Sequence, residues 1–437
     1  MTYEAQIQAA GNNPARLEDL YRLAQRERRV AAFAAAIGTC YQQAPENLLY
    51  GAWHYRLQAE SSAGAAVLWR LAVPLGLVAG LALAALTQEP FDLANGMPLL
   101  FLTWAPLAGL AIVGYIALGA RQRTHAALVA GSVLLAGGLY AVGLVLLHTP
   151  SYLEVYVLRG QYRDLMLLHL PALAWIAAGL AALGWRSTGA ERHAILVKSI
   201  EVLITGGLYA AAGGALLAIT VALFQVLGIS LPDPLLRALV GMGAGVVPVL
   251  AVATVYDPRL GPLEQRLEQG LARLIATLMR LLLPVSIVVL AVYVVAIPFN
   301  LMAPFHDRGL LIVYNVLLFA VMGVLLGAST RADELGERAQ GLLRAGMIAL
   351  AALATLVSLY ALAAVVYRTV LSYLTPNRLT VIGWNAINIG LLVALLVKQA
   401  RLGRLRWLEG VHAVAAAGVL IYSVWVLFLV FAVPWLF

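Results

Sequence analysis

Residues 281–303 read LLLPVSIVVLAVYVVAIPFNLMA, a run without a single Lys, Arg, Asp or Glu. At the 1.5 Å rise per residue of an α-helix, such a run covers about 30 Å, the thickness of the hydrocarbon core of a bilayer. Because backbone amides in lipid must form hydrogen bonds within their own segment, the run predicts a transmembrane helix.

The rest of the chain repeats this pattern. Of its 437 residues, 62% are hydrophobic and 11% are charged, and the mean hydropathy of +0.88 excludes an ordinary soluble globular protein. We therefore predict an all-α fold, a polytopic transmembrane bundle of about 11 spans in residues 65–437. The spans are predicted at 68–87, 97–120, 125–147, 166–185, 200–228, 236–256, 281–303, 309–328, 344–367, 380–398 and 410–434.

Lys and Arg residues are distributed unevenly over the connections. With a cytoplasmic N-terminus, 23 of the 29 cationic residues fall on inside segments and 6 on outside segments. This bias predicts a multi-pass protein of a cytoplasmic membrane, with its N-terminus on the cytoplasmic side. An odd number of spans then places the C-terminal Phe437 outside. The net charge of +8 is accounted for by topology and by contact with membrane lipids, and the scattered cations exclude a nucleic-acid-binding patch.

Two segments outside the spans are predicted to be amphipathic helices. Residues 1–64 are expected to form a cytoplasmic helical hairpin, with Asn13 and Pro14 starting the first helix and residues 44–46 starting the second. Either this hairpin lies on the membrane or on the bundle, or it is a docking platform for a protein partner. Near 262–279, apolar and polar residues occupy opposite helix faces, which predicts a helix at the membrane interface.

Small residues recur at four-residue spacing within the predicted spans. This spacing allows helices to approach closely in lipid, where packing and not hydrophobicity drives their association. The three pairs are Gly76 and Gly80, Gly241 and Gly245, and Gly323 and Gly327.

Polar side chains within the spans form a candidate intramembrane site, because each costs free energy unless it is partnered or hydrated. Its members are His169, Lys198, Glu201, Asn315, Asn385 and Asn388. Lys198 and Glu201 are spaced for an ion pair on one helix, which we place at the cytoplasmic interface; a coupling-ion or proton site is the alternative. For the asparagines, hydrogen bonds between helices and a shared polar pocket both stay open.

Signatures of enzymes are missing from the sequence. The seven histidines never show metal-ligand spacing, and no phosphate-binding loop, dinucleotide-binding turn or nucleophile elbow occurs. We predict no catalytic residue, no bound cofactor and no metal.

The segment from Arg368 to Asn385, RTVLSYLTPNRLTVIGWN, contains a polar turn between two spans. From about Lys198 to the C-terminus, the chain resembles an uncharacterised family of bacterial polytopic membrane proteins, whose integral-membrane domain of unknown function carries a YGLTPNR-like loop. Tyr373 stands here where that loop has glycine. The resemblance implies a multi-span fold without an established activity. It singles out a loop site, with either a structural role or contact to an anion or headgroup: Arg368, Thr375, Asn377 and Arg378.

Three functions are compatible with these patterns. The one we favour is a non-enzymatic membrane scaffold or sensor whose N-terminal hairpin meets a protein partner. The alternatives are a transporter, flippase or channel for a lipid-like or small substrate, and an enzyme that acts on lipid-linked material.

Overall fold

A computed structural model describes residues 3–26, 30–63, 68–93, 96–120, 124–146, 153–265, 269–302, 305 and 308–437. Throughout these ranges the secondary structure is helical, and no β-strand forms. This confirms the all-α fold class. The chain divides into two compact units, Met1–Val67 and Leu68–Phe437.

Among its described residues, the N-terminal unit contains four helices: α1 (Tyr3–Ala10), α2 (Pro14–Arg26), α3 (Val30–Gln43) and α4 (Leu48–Ala63). Asn13 caps α2 as predicted, because its side-chain oxygen accepts a hydrogen bond from the Arg16 amide at 3.2 Å. The cap of α4 is Asn47, which accepts from the amides of Leu49 and Tyr50. The predicted start of this helix at residues 44–46 is therefore slightly too early.

The predicted hairpin is too simple a description of this unit. The first predicted helix corresponds to two helices, α2 and α3, and the prediction missed α1. Four helices are needed because a single pair cannot enclose the ring of Phe33, which is fully buried. That ring lies within 6 Å of the rings of Tyr3, Tyr21 and Trp53.

The described part of the second unit contains twelve further helices. They are α5 (Trp69–Leu86), α6 (Leu100–Gly119), α7 (Thr124–Leu146), α8 (Leu153–Leu183), α9 (Gly189–Val226), α10 (Asp233–Val255), α11 (Gln269–Ala296), α12 (Arg308–Ser329), α13 (Glu337–Val370), α14 (Pro376–Leu402), α15 (Trp407–Phe431) and α16 (Val433–Leu436).

Ten of these helices are long and apolar enough to cross a membrane, and they coincide with ten of the predicted spans. The eleventh prediction, 309–328, coincides with α12, of which Tyr314–Ser329 forms a shorter apolar helix. The unit is a bundle of a multi-pass membrane protein. Several helices extend beyond the apolar run that predicted them; α9, for example, starts at a capping box between Thr188 and Glu191.

The predicted interfacial helix near 262–279 needs correction. Pro262 lies in a turn, and residues 266–268 lie outside the described ranges. From Gln269 the chain runs as one uninterrupted helix to Ala296, so residues 269–279 of the predicted segment form the first turns of α11.

Helices α5 and α10 pack with their backbones in direct contact. A methyl group built on Gly245 would lie 2.4 Å from the Gly80 backbone nitrogen, and one on Gly241 would lie 2.8 Å from that of Ala84. The two backbones therefore touch where the glycine spacing predicted a contact. The third predicted pair behaves differently, because Gly327 faces the side chain of Met279 and Gly323 faces open space.

Candidate functional site

Four of the six predicted intramembrane polar residues meet inside the bundle, together with two aromatic residues. We call this set the polar layer; it consists of His169 on α8, Asn315 on α12, Trp384, Asn385 and Asn388 on α14, and Tyr422 on α15. Asn385 lies nine residues after Pro376, which is about 14 Å along α14 at the helical rise. The layer thus joins four helices well inside the membrane-spanning region.

His169 links α8 to α14. Its Nδ1 lies 2.7 Å from the Leu165 carbonyl oxygen, and its Nε2 accepts a hydrogen bond from the Trp384 indole at 3.1 Å. An indole N–H can only donate and a carbonyl can only accept, so the single ring proton must be on Nδ1. His169 is therefore a neutral imidazole with both nitrogens occupied, and only 4% of its surface is exposed.

Asn388 links α14 to α15. The Tyr422 hydroxyl donates a hydrogen bond to Asn388 Oδ1. Asn388 Nδ2 in turn donates to the Trp384 carbonyl at 2.9 Å. The Trp384 ring also packs edge-on against Tyr422 and against Phe319 of α12. Trp384 is thus the centre of the layer.

Asn385 links α14 to α12. Its Nδ2 donates to Asn315 Oδ1 at 2.9 Å and to the Val381 carbonyl at 2.8 Å. The buried Asn385 Oδ1 has no hydrogen-bond partner within the described part of the chain. For Asn315, Asn385 and Asn388 the geometry therefore favours hydrogen bonds between helices, with one acceptor position left over.

The remaining predicted pair is buried within the protein. Lys198 Nζ lies 2.7 Å from Glu201 Oε2, which confirms the predicted ion pair. The side chains are only 3% and 0% exposed, and the placement of the pair at the cytoplasmic interface stays a prediction. The pair lies on the face of α9 that the bundle buries, where a charge needs its partner because solvation by water is lost.

The loop site is organised around the start of α14. Thr375 caps the helix by accepting from the Arg378 amide at 3.3 Å. Arg378 donates to the Tyr373 carbonyl at 2.5 Å, and its guanidinium lies 5.9 Å from the ring of the same residue. Tyr373 is therefore the partner of Arg378.

The other two residues of the loop site play smaller parts. Asn377 contributes its backbone amide, which lies 3.5 Å from Gln161 Oε1 on α8. Arg368, near the end of α13, has a buried Nη1 without a hydrogen-bond partner among the residues described. The contacts of Thr375 and Arg378 support the structural interpretation of the loop.

Sequence spacing did not reveal one histidine pair. His193 on α9 and His412 on α15 face each other, with ring centroids 3.9 Å apart. The two residues are far apart in sequence, so no local motif could have identified them. Within the described ranges, no group of three or more His, Cys, Asp or Glu side chains is placed to hold a metal ion.

The N-terminal unit carries an aromatic patch, partly exposed, that the sequence analysis also missed. We define the patch as Tyr41 of α3 and Leu48, His54 and Tyr55 of α4. The Tyr41 ring stacks on His54 at 5.1 Å and packs against Tyr55 at 6.0 Å. Leu48 and Tyr55 lie two helical turns apart on one face of α4 and are 88% and 62% exposed.

Comparison with known proteins adds no relative, because no family model, curated protein or solved structure matches the chain. The resemblance carried by residues 368–385 therefore stays a prediction.

Proposed function

We propose that the chain is a non-enzymatic scaffold or sensor of the bacterial cytoplasmic membrane, and that its N-terminal unit binds a protein partner. The observation that carries this proposal is the aromatic patch. Tyrosine contributes large contact area at low conformational cost and is enriched at the centres of protein interfaces. In the patch, Tyr55 and Leu48 are exposed and do not belong to the packed core of the unit.

The small residues beneath the patch support this assignment. A methyl group on Gly51 would lie 3.2 Å from the Tyr41 ring, and one on Gly38 would lie 3.6 Å from His54 Nδ1. The aromatic rings therefore rest directly on helix backbone. Side chains held in this way are pre-organised, which lowers the entropy lost on binding.

The polar layer supports a scaffold more than a substrate pathway. Both nitrogens of His169 and the side chains of Asn388 and Tyr422 bond to protein groups. A substrate that used these groups would first have to break contacts between helices.

The proposed topology has Met1 inside and Phe437 outside, and reporter fusions at both termini test it: the two termini are expected in different compartments.

A photo-crosslinking amino acid placed at Tyr55 tests the docking role in living cells. We expect one discrete protein adduct that disappears with Leu48→Ala. The matched control is Leu23→Ala, which truncates a leucine that is also exposed but lies on α2. This variant should leave the adduct unchanged.

Two results would contradict the proposal. The crosslinker at Tyr55 could give adducts only with lipid or with the chain itself, which would mean that the unit lies on the membrane or on the bundle. If Leu48→Ala and Leu23→Ala reduced the yield of the adduct equally, the contact would be a nonspecific hydrophobic one. Circular dichroism of both variants establishes that the unit stays folded.

A further inference from the structure

A groove with a volume of about 370 Å³ lies between α14 and α15. Its lining is mostly small and apolar, and small residues from both helices keep it open. They include Ala386, Gly390 and Ala394 of α14 and Ala413 and Ala417 of α15, with Lys398 at one end. A methyl group built on Gly390 would have no atom within 4 Å, so the space in front of this residue is open.

The length of the groove matches one leaflet of a bilayer. Ala386 and Lys398 are twelve residues apart on α14, which corresponds to about 18 Å at the helical rise. Half of a hydrocarbon core of about 30 Å is about 15 Å. A single extended acyl chain therefore fits the groove along its axis.

The charge of the groove lies at one end only. Among the lining residues Lys398 alone is charged, and its side chain is exposed. Within the described part of the chain Lys398 forms no ion pair, in contrast to the nearby Arg406, which pairs with Glu409. The cation distribution predicts that this end faces the cytoplasm, where the leaflet is rich in anionic lipid.

We propose that the groove binds an anionic phospholipid of the cytoplasmic leaflet, with one acyl chain between α14 and α15 and the phosphate at Lys398. A helix of a second copy would fill the apolar part but would leave the ammonium group without a counter-charge. A zwitterionic lipid would place a second cation close to Lys398. This inference goes beyond the proposed docking function and does not depend on it.

Native mass spectrometry of the purified full-length chain tests the headgroup. The delipidated protein is titrated with phosphatidylglycerol and with phosphatidylcholine of the same acyl chains. We expect tighter binding of phosphatidylglycerol, and Lys398→Gln should weaken it about fivefold, the effect of one basic residue near an anionic surface. Phosphatidylcholine binding should not change. The matched control is Arg70→Gln, which removes an exposed cation at the start of α5 and should have no effect.

A second pair of variants tests whether the groove binds the acyl chain. Gly390→Leu fills the groove and should abolish the tight binding of phosphatidylglycerol. Gly213→Leu on α9 introduces the same side chain at another glycine with open space in front of it, and should not. Neither change meets a neighbouring atom at its Cβ position, so both variants are expected to fold.

The proposal fails if the unchanged protein binds both lipids equally, or if Lys398→Gln behaves like Arg70→Gln. It also fails if Gly390→Leu binds phosphatidylglycerol as tightly as Gly213→Leu does. A dimer in lipid nanodiscs that crosslinks through Gly390 and Ala417 would replace the lipid with a second copy of the chain.

Discussion

Two regions of the bundle are held together by different means. Where α5 meets α10, glycines bring the two backbones into contact, and a methyl group on Gly245 would overlap with Gly80. Where α8, α12, α14 and α15 meet, the polar layer joins the helices through side-chain hydrogen bonds and the ring of Trp384.

Both kinds of contact are needed because the helices lie in lipid and not in water. Lipid tails are as apolar as the helix surfaces, so association depends on close packing or on polar groups that find no partner in lipid. Close packing tolerates almost no added volume, because backbone cannot move aside. A hydrogen bond in the layer can be lost at a smaller cost, since the neighbouring bonds and rings remain.

The Lys198–Glu201 pair is the most extreme polar contact, and breaking it should have the largest effect. Lys198→Met leaves the Glu201 carboxyl buried without its cation, and removal of one partner of a buried pair costs about 3–5 kcal/mol. We expect a loss of this size in the free energy of unfolding, measured by titration of detergent-solubilised protein with a denaturing detergent.

Two controls separate the effect of the unpaired buried charge from the other effects of the Lys198 substitution on stability. The double variant Lys198→Met, Glu201→Gln removes both charges and should recover most of the stability. Arg406→Gln breaks a pair whose side chains are 63% and 58% exposed, and should cost at most about 1 kcal/mol. A loss as small as this for Lys198→Met would show that the α9 pair is hydrated.

The glycine contact gives the next largest effect. Gly245→Ala places a methyl group against the Gly80 backbone, and overpacking of this kind costs about 1–3 kcal/mol. Gly243→Ala is the matched control on the same helix, because nothing lies within 4 Å of the added methyl group. For Gly243→Ala we expect the free energy of unfolding to rise by up to about 1 kcal/mol, since alanine favours the helix more than glycine does. Thermal unfolding in detergent measures both, and equal shifts would rule out the backbone contact.

The sequence predicted the packed region better than the polar region. A spacing of four residues places Gly241 and Gly245 on one helix face whatever the tertiary structure is, and the contact with α5 follows from their size. The same pattern was less informative at Gly323, because the rotation of α12 in the bundle decides which face meets a neighbour.

Polar residues could be located by their depth, but their partners could not. Asn385 and Asn388 stand out in an apolar run, whereas the bond from Trp384 to His169 joins residues 215 positions apart. The local sequence also does not show that His169 meets Trp384 whereas His193 meets another histidine. The extra helices of the N-terminal unit were missed for a similar reason, because their apolar stripes are short and become clear only around Phe33.

Within the polar layer, the loss of the Tyr422 hydroxyl should cost more than an average intramembrane hydrogen bond. Tyr422→Phe leaves Asn388 Oδ1 fully buried without its donor, so we expect about 1.5 kcal/mol, near the upper end of measured intramembrane hydrogen bonds. Tyr367→Phe, at an exposed tyrosine whose ring packs on Phe305, should change stability by less than about 0.5 kcal/mol. Similar values for the two variants in the detergent titration would mean that the hydrogen bond from Tyr422 to Asn388 contributes nothing to stability.

Asn385→Leu should have the smallest effect, although it removes two hydrogen bonds. The variant also removes Asn385 Oδ1, a buried acceptor that lacks a partner within the described residues and so carries an uncompensated desolvation cost. The two contributions oppose each other, and we expect a net loss of about 0.6 kcal/mol in the same titration. A loss as large as that of Tyr422→Phe would show that Asn385 Oδ1 accepts a hydrogen bond in the bilayer. The polar layer would then hold a water molecule or a polar ligand, and it would bind this molecule as well as hold the four helices together.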